Sequence, residues 1–145
     1  MLTLTEDMVL SGSDELRSLV TDPSWDGPKA AGDLAEGFLT FFDRHASMLR
    51  VIDLATTEGD ERFRELRVRL LNGVFLSLRD LADAAAAAGR LADGVDPGAA
   101  AGILTTMLAH VSAHQPGFAS WGVERDALAQ TMATLIDWTV RSHGE

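Results

Sequence analysis

His110 and His114 stand four residues apart, a spacing that places two imidazoles on one face of a helix and within reach of a single metal ion. No third ligand lies nearby, and Ala109-His-Val-Ser-Ala-His114 has no glutamate between the histidines, which rules out a metalloprotease helix. The plainer reading is two neutral imidazoles at a pocket wall or surface, each making one hydrogen bond. No metal or other cofactor is therefore expected. His45 also has two readings: a polar group in a pocket, or a helix-end residue interacting with terminal carbonyls. Arg62, Arg64, Arg67 and Arg69 crowd a stretch that also carries Glu58, Glu61 and Glu65, and the default meaning of such a run is a solvated, ion-paired face. Arg67 differs, because it lies four residues from both Phe63 and Leu71 on a strip turning toward the core. There a guanidinium can orient an acidic or carbonyl-bearing ligand, or it can satisfy a helix end or a carboxylate of the protein itself.

Signals for catalysis are close to absent. The chain has no cysteine and no tyrosine, hence no thiolate nucleophile and no disulfide framework. Ser112 and His114 are two apart, which points their side chains away from each other on a helix, and no nucleophile elbow is present. A phosphate-binding loop and a Gly-x-Gly-x-x-Gly turn are both missing, and Lys29 is the sole lysine. The expectation is a protein that is not an enzyme, with no catalytic residues. Twelve basic and 22 acidic side chains give a formal charge of −10, which disfavours binding of DNA by this chain alone. The amino terminus has no basic stretch ahead of an apolar one, and no apolar run approaches the ~20 residues that cross a bilayer, so a cytoplasmic protein that does not span a membrane is expected.

The elements that must position these residues read as helices. Apolar residues recur at three- and four-residue spacings almost throughout, without sustained alternation, which predicts an all-α fold of about six helices in one domain over residues 1–145. The first helix is expected from Thr5 to Val20, weakened at Ser11-Gly12-Ser13, and Thr21 to Pro28 reads as a connector whose Pro28 can occupy the first turn of the next helix. The second runs from Ala30 to about His45, and a short third one from Met48 to about Ala55. Asp60 can cap a long central helix that ends at Gly89, and its residues Val68 to Leu78 are apolar in nearly every direction, as in a helix surrounded on most sides. Asp96-Pro97 opens the fifth helix, and Gln115-Pro-Gly117 ends it. Phe118 and Trp121 fall in a link before the last helix, from Arg125 to Ser142.

Five strings, in this order and spacing, resemble one family. They are Asp22-Pro-Ser-Trp-Asp-Gly-Pro28, Phe41-Phe-Asp-Arg-His-Ala-Ser-Met-Leu-Arg50, Glu58-Gly-Asp-Glu-Arg-Phe-Arg-Glu-Leu-Arg67, Ala87-Ala-Gly89 with Asp96-Pro97, and His114-Gln-Pro-Gly-Phe-Ala-Ser-Trp-Gly-Val123. The set is similar to the carboxy-terminal effector-binding and dimerisation region of the tetracycline-repressor (TetR) family of transcriptional regulators, over roughly residues 13–142. Members of that family carry about 45 to 50 residues of helix-turn-helix ahead of this region. Here only about a dozen residues precede the match, so residues 1–12 read as a remnant of the helix linking to a DNA-reading module that this chain lacks.

The resemblance implies a helical bundle whose last two helices pack against those of a twin in a dimeric four-helix bundle. Leu104, Leu108, Leu128, Met132, Leu135, Ile136, Trp138 and Thr139 are the seam residues it implies. It also places a pocket for a small apolar effector among the middle helices. Phe38, Phe41, Met48, Phe63, Phe75 and Met107 then line the pocket with Leu71 and Val111, although ordinary core packing explains most such side chains. His45, Arg67 and His110 are its expected polar groups. The implied function is the effector-binding and homodimerisation domain of a TetR-type regulator, touching DNA only through a helix-turn-helix outside this chain. Two other readings are a stand-alone protein that binds a small molecule or titrates a regulator, and a metal-sensing helical domain using His110 and His114.

Overall fold

A computed structural model describes residues 2–20 and 27–141, which form seven helices and no strand. They are α1 (Leu2–Ser18), α2 (Gly27–Arg44), α3 (Ala46–Thr57), α4 (Glu61–Ala87), α5 (Pro97–Ala113), α6 (Gln115–Ala119) and α7 (Arg125–Arg141). The expected connector is described only from Gly27 onward, and Ser142, expected to end the last helix, lies outside the described residues.

Local chemistry sets most boundaries. Asp60 is extended at φ −77° and accepts from the Arg62 amide at 3.0 Å, capping α4. The Arg62 side chain also donates to both carboxylate oxygens, at 3.2 and 3.0 Å, and this holds the Asp60 carboxyl below its ordinary value. At the other end of α4, Gly89 takes φ +71°. Its amide donates to the Ala86 carbonyl and that of Arg90 donates to Ala85, at 3.0 and 2.8 Å, which is a Schellman closure. Asp96 accepts from the Ala99 amide at 2.8 Å with Pro97 in the first turn of α5.

The differences from expectation have physical reasons. Helix α2 begins at Gly27 rather than at Ala30, with Pro28 in its first turn as expected, and only His45 separates it from α3, which therefore starts before Met48. Phe118 sits on the one-turn helix α6, because the proline that cannot prolong α5 is well suited to the first turn of a new helix. Helix α4 touches α1, α3, α5 and α7, yet it keeps one open strip on which Val68 is 59% exposed and Leu76 is also exposed.

The core lies where α2, α4, α5 and α7 meet, with Phe38, Phe41, Leu34, Leu39, Leu78, Leu108 and Ile136 fully buried. Helix α1 covers one side of it with Val9 and Leu16, and Arg44 pairs with Glu15 across the gap between α1 and α2. Ser11-Gly12-Ser13 does not interrupt α1, and at Gly12 the helix lies directly against the core. A Cβ at Gly12 would stand 2.5 Å from the Phe41 ring tip and 3.1 Å from Leu70 Cδ1. Gly12→Ala should therefore destabilise the domain by about 1–3 kcal/mol, since overpacking against a buried ring outweighs the gain in helix propensity. Thermal unfolding followed by circular dichroism checks this, and a raised melting temperature would show that the ring yields.

Candidate functional site: a pocket between α3, α4 and the end of α5

Short helix α3 crosses α4, and the gap between them and the carboxy-terminal turn of α5 is a cavity of about 270 Å³. This is just under the ~300–1,000 Å³ usual for small-molecule sites. Its apolar wall comes from Phe42 at the end of α2, Leu49 and Ile52 on α3, Leu70 and Leu71 on α4, and Ala109 on α5. Phe42, Ile52, Leu70 and Ala109 are buried, while Leu49 and Leu71 are partly open to the cavity side.

The polar groups of the pocket fall into two sets. Asp43 and Gln115 belong to a rim network centred on Arg125. That guanidinium donates to Asp43 Oδ2 at 3.0 Å, Glu36 Oε2 at 3.3 Å, Thr40 Oγ1 at 3.1 Å and Gln115 Oε1 at 3.3 Å, and Gln115 Nε2 donates to Asp43 Oδ1 at 3.0 Å. The network ties the start of α7 to α2 and α6, and it answers the Asp43 charge. The second set has no such partners. Arg67, partly buried on α4, makes no ion pair or hydrogen bond with any described residue, and exposed Arg50 on α3 makes none either. Ser112 is only 4% exposed and its hydroxyl has no partner among the described residues. His110 and His114, both exposed at the rim, bring their rings to 4.2 Å with a 37° tilt. Among the described residues no group of three His, Cys, Asp or Glu side chains could hold a metal ion.

Of the residues expected at a pocket, Arg67, Leu71 and His110 come together here. Phe38 and Phe41 are instead fully buried core, and Phe63 is buried with them. Phe38 stacks on Phe42 at 5.9 Å, and Phe41 meets Phe42 edge-on at 5.8 Å. The His45 ring lies 4.6 Å from that of Phe41, away from the cavity lining. Met48 Sδ accepts from the Thr5 hydroxyl at 3.1 Å, joining α3 to α1. Phe75 lies under the Arg79 guanidinium at 5.7 Å, and Met107 and Val111 pack against the core edge. Sequence reasoning does not single out Leu49 and Ile52, and it weighs Ser112 only as a catalytic partner of His114, not as a pocket residue. The spacing of Leu49 and Ile52 on one face of α3 was the available signal, whereas nothing local marks Ser112.

The residues expected at a dimer seam divide by helical phase. Leu104 and Leu108 on α5, and Leu128, Met132 and Ile136 on α7, point into the protomer's own core. Leu135 and Trp138 point outward, at 43% and 62% exposure, and Thr139 is partly exposed. Ile103 on α5 is also exposed, at 67%. Helix α5 contains no Asp, Glu, Lys or Arg, and α7 has none between Asp126 and Asp137, so the outward faces of these two touching helices are uncharged.

Comparison with known proteins supplies the context for this pocket and these two helices. A family model described as the tetracyclin repressor-like C-terminal domain matches residues 16–144, which is most of the chain. No curated protein and no solved structure gave a significant match. The chain belongs to the tetracycline repressor-like C-terminal domain family.

Proposed function

We propose that the domain binds a small, largely apolar effector in the α3–α4–α5 pocket and homodimerises through the outward faces of α5 and α7, as the sensing half of a TetR-type regulator. Domains of this family typically bind a ligand and dimerise, and they belong to regulators rather than to enzymes as a rule. The observation that carries the reading is the cavity itself, with an apolar wall and a few polar groups without partners. Helix α5 provides the link between the two activities: its inner side forms one wall of the pocket, and its outer side is the uncharged face. A ligand that favours one position of α5 thereby favours one arrangement of the dimer, and so biases the spacing of DNA-reading helix-turn-helix modules carried by the two subunits. Among the described residues no helix is long and apolar enough to cross a membrane.

Leu71→Trp tests the pocket, because the added ring occupies the cavity from the α4 wall at a position that is only partly buried. With the fluorescent probe N-phenyl-1-naphthylamine, the variant should bind at least about tenfold more weakly than the parent, a loss of about 1.4 kcal/mol. A cooperative melt within a few degrees of the parent's would show that it is folded. Equal probe affinity in a folded Leu71→Trp protein would contradict the site.

A further inference from the structure

The pocket holds a guanidinium that no side chain among the described residues answers. Acidic side chains outnumber basic ones 22 to 12, and Arg17, Arg44, Arg62, Arg64 and Arg125 each find a carboxylate. Arg67 does not, although it is partly buried, where losing water costs a guanidinium more than it does on the open surface. The carboxylates at the same cavity do not fill the gap. Asp43 is taken by Arg125 and Gln115, and Asp53 lies exposed on α3, three residues from the equally exposed Arg50. The lining thus sets Arg50 and Arg67 against Asp43 and Asp53, with no formal excess of charge when the histidines are neutral, but Arg67 itself is answered by no side chain among the described residues.

A second, independent observation lies on a different helix. The Ser112 hydroxyl, on α5, is buried at this cavity without a donor or acceptor partner. Buried hydroxyls in native proteins are nearly always satisfied, so an unpaired one beside a cavity points to a polar atom that arrives with the occupant. A guanidinium that can donate twice and a hydroxyl that can donate once suit one acceptor group with two oxygens. The rest of the lining suits the opposite chemistry, since Phe42, Leu49, Ile52 and Leu70 offer only apolar surface.

We propose that the occupant is a small organic monocarboxylate, its carboxylate seated on Arg67 and Ser112 and its apolar body against the α2, α3 and α4 wall. This inference rests on the pocket being the effector site, and it narrows the effector from any small apolar molecule to an amphipathic acid. The rigid fork of Arg67 sets the preference for a carboxylate over a neutral or cationic head, and Ser112 fixes its orientation.

The test uses three probes with one tail and three heads: octanoate, 1-octanol and octylamine, each displacing N-phenyl-1-naphthylamine from the protein at pH 7.5. The expected result is octanoate at least tenfold tighter than octanol, with octylamine weakest. In Arg67→Gln the octanoate-to-octanol ratio falls to near one, in Arg67→Lys it recovers in part, and in Ser112→Ala it drops several-fold. A cooperative melt for each variant shows that it is folded. If octanoate and octanol bind alike, or octylamine binds best, or Arg67→Gln keeps the anion preference, the carboxylate proposal is overturned while the pocket stands. If the naphthylamine probe does not bind the parent protein, the pocket reading fails and the proposal falls with it.

Discussion

Leu135→Glu should turn the proposed dimer into a monomer, halving the mass measured by light scattering, and Trp138→Glu should do the same. Both side chains stand on the outward face of α7, where the protomer leaves 43% of Leu135 and 62% of Trp138 exposed. Each substitution puts a carboxylate among uncharged exposed side chains, including Ile103 of α5 and Gln130, Thr131 and Thr134 of α7. In a closed two-fold interface every such charge is introduced twice, on self-complementary patches. A charge buried without a partner costs about 3–5 kcal/mol, which weakens association by roughly two to four orders of magnitude. In the monomer the same glutamates are solvated, so the fold should persist. The inward residues behave differently: Ile136→Glu would unfold the protomer and say nothing about a partner. An unchanged dimer mass in both outward variants would move the seam away from α7.

Phe41→Ala should lower stability by about 3–5 kcal/mol, the usual cost of deleting a buried aromatic ring and leaving a cavity. For a chain of this size that is a fall in melting temperature of roughly 6–20 °C. The ring is fully buried, meets Phe42 and His45, and fills the space that the bare backbone of Gly12 leaves open. The variant also separates the two roles that an aromatic residue on α2 can play. As a core residue outside the cavity lining, Phe41 should leave probe affinity per folded molecule within about twofold when it is removed, at a temperature well below the lowered melt. A loss of stability under 1 kcal/mol, together with a large loss of binding, would instead make Phe41 a pocket residue.

The contrast between these two sites shows where the sequence was informative. Caps are local, so Asp60, Gly89 and Asp96-Pro97 marked the ends of α4 and the start of α5 before any packing was known. Arg67 was legible for a similar reason, since its four-residue distance from Phe63 and Leu71 put it on a strip turning inward. The aromatic residues of α2 were not so easily placed: periodicity shows that Phe38 and Phe41 face inward, but core and cavity lie on the same side of the helix. Helix α7 posed the reverse difficulty. Its two faces are separated by no charge between Asp126 and Asp137, so Leu128, Met132 and Ile136 could not be told from Leu135 and Trp138 by polarity alone. The Arg125 network was beyond reach, because Asp43 lies 82 residues away in the chain and only the packing of α7 on α2 brings the two together. Ser112 is of the same kind, an ordinary helical serine until the cavity beside it is seen.

Native mass spectrometry of the purified protein tests the central claim most directly, because it reports subunit number and retained small molecules in one spectrum. The expected spectrum is that of a dimer carrying added small-molecule mass, released when the protein is denatured and identified in negative-ion mode as an organic acid. A monomer with no added mass, at micromolar protein in volatile buffer, would contradict it.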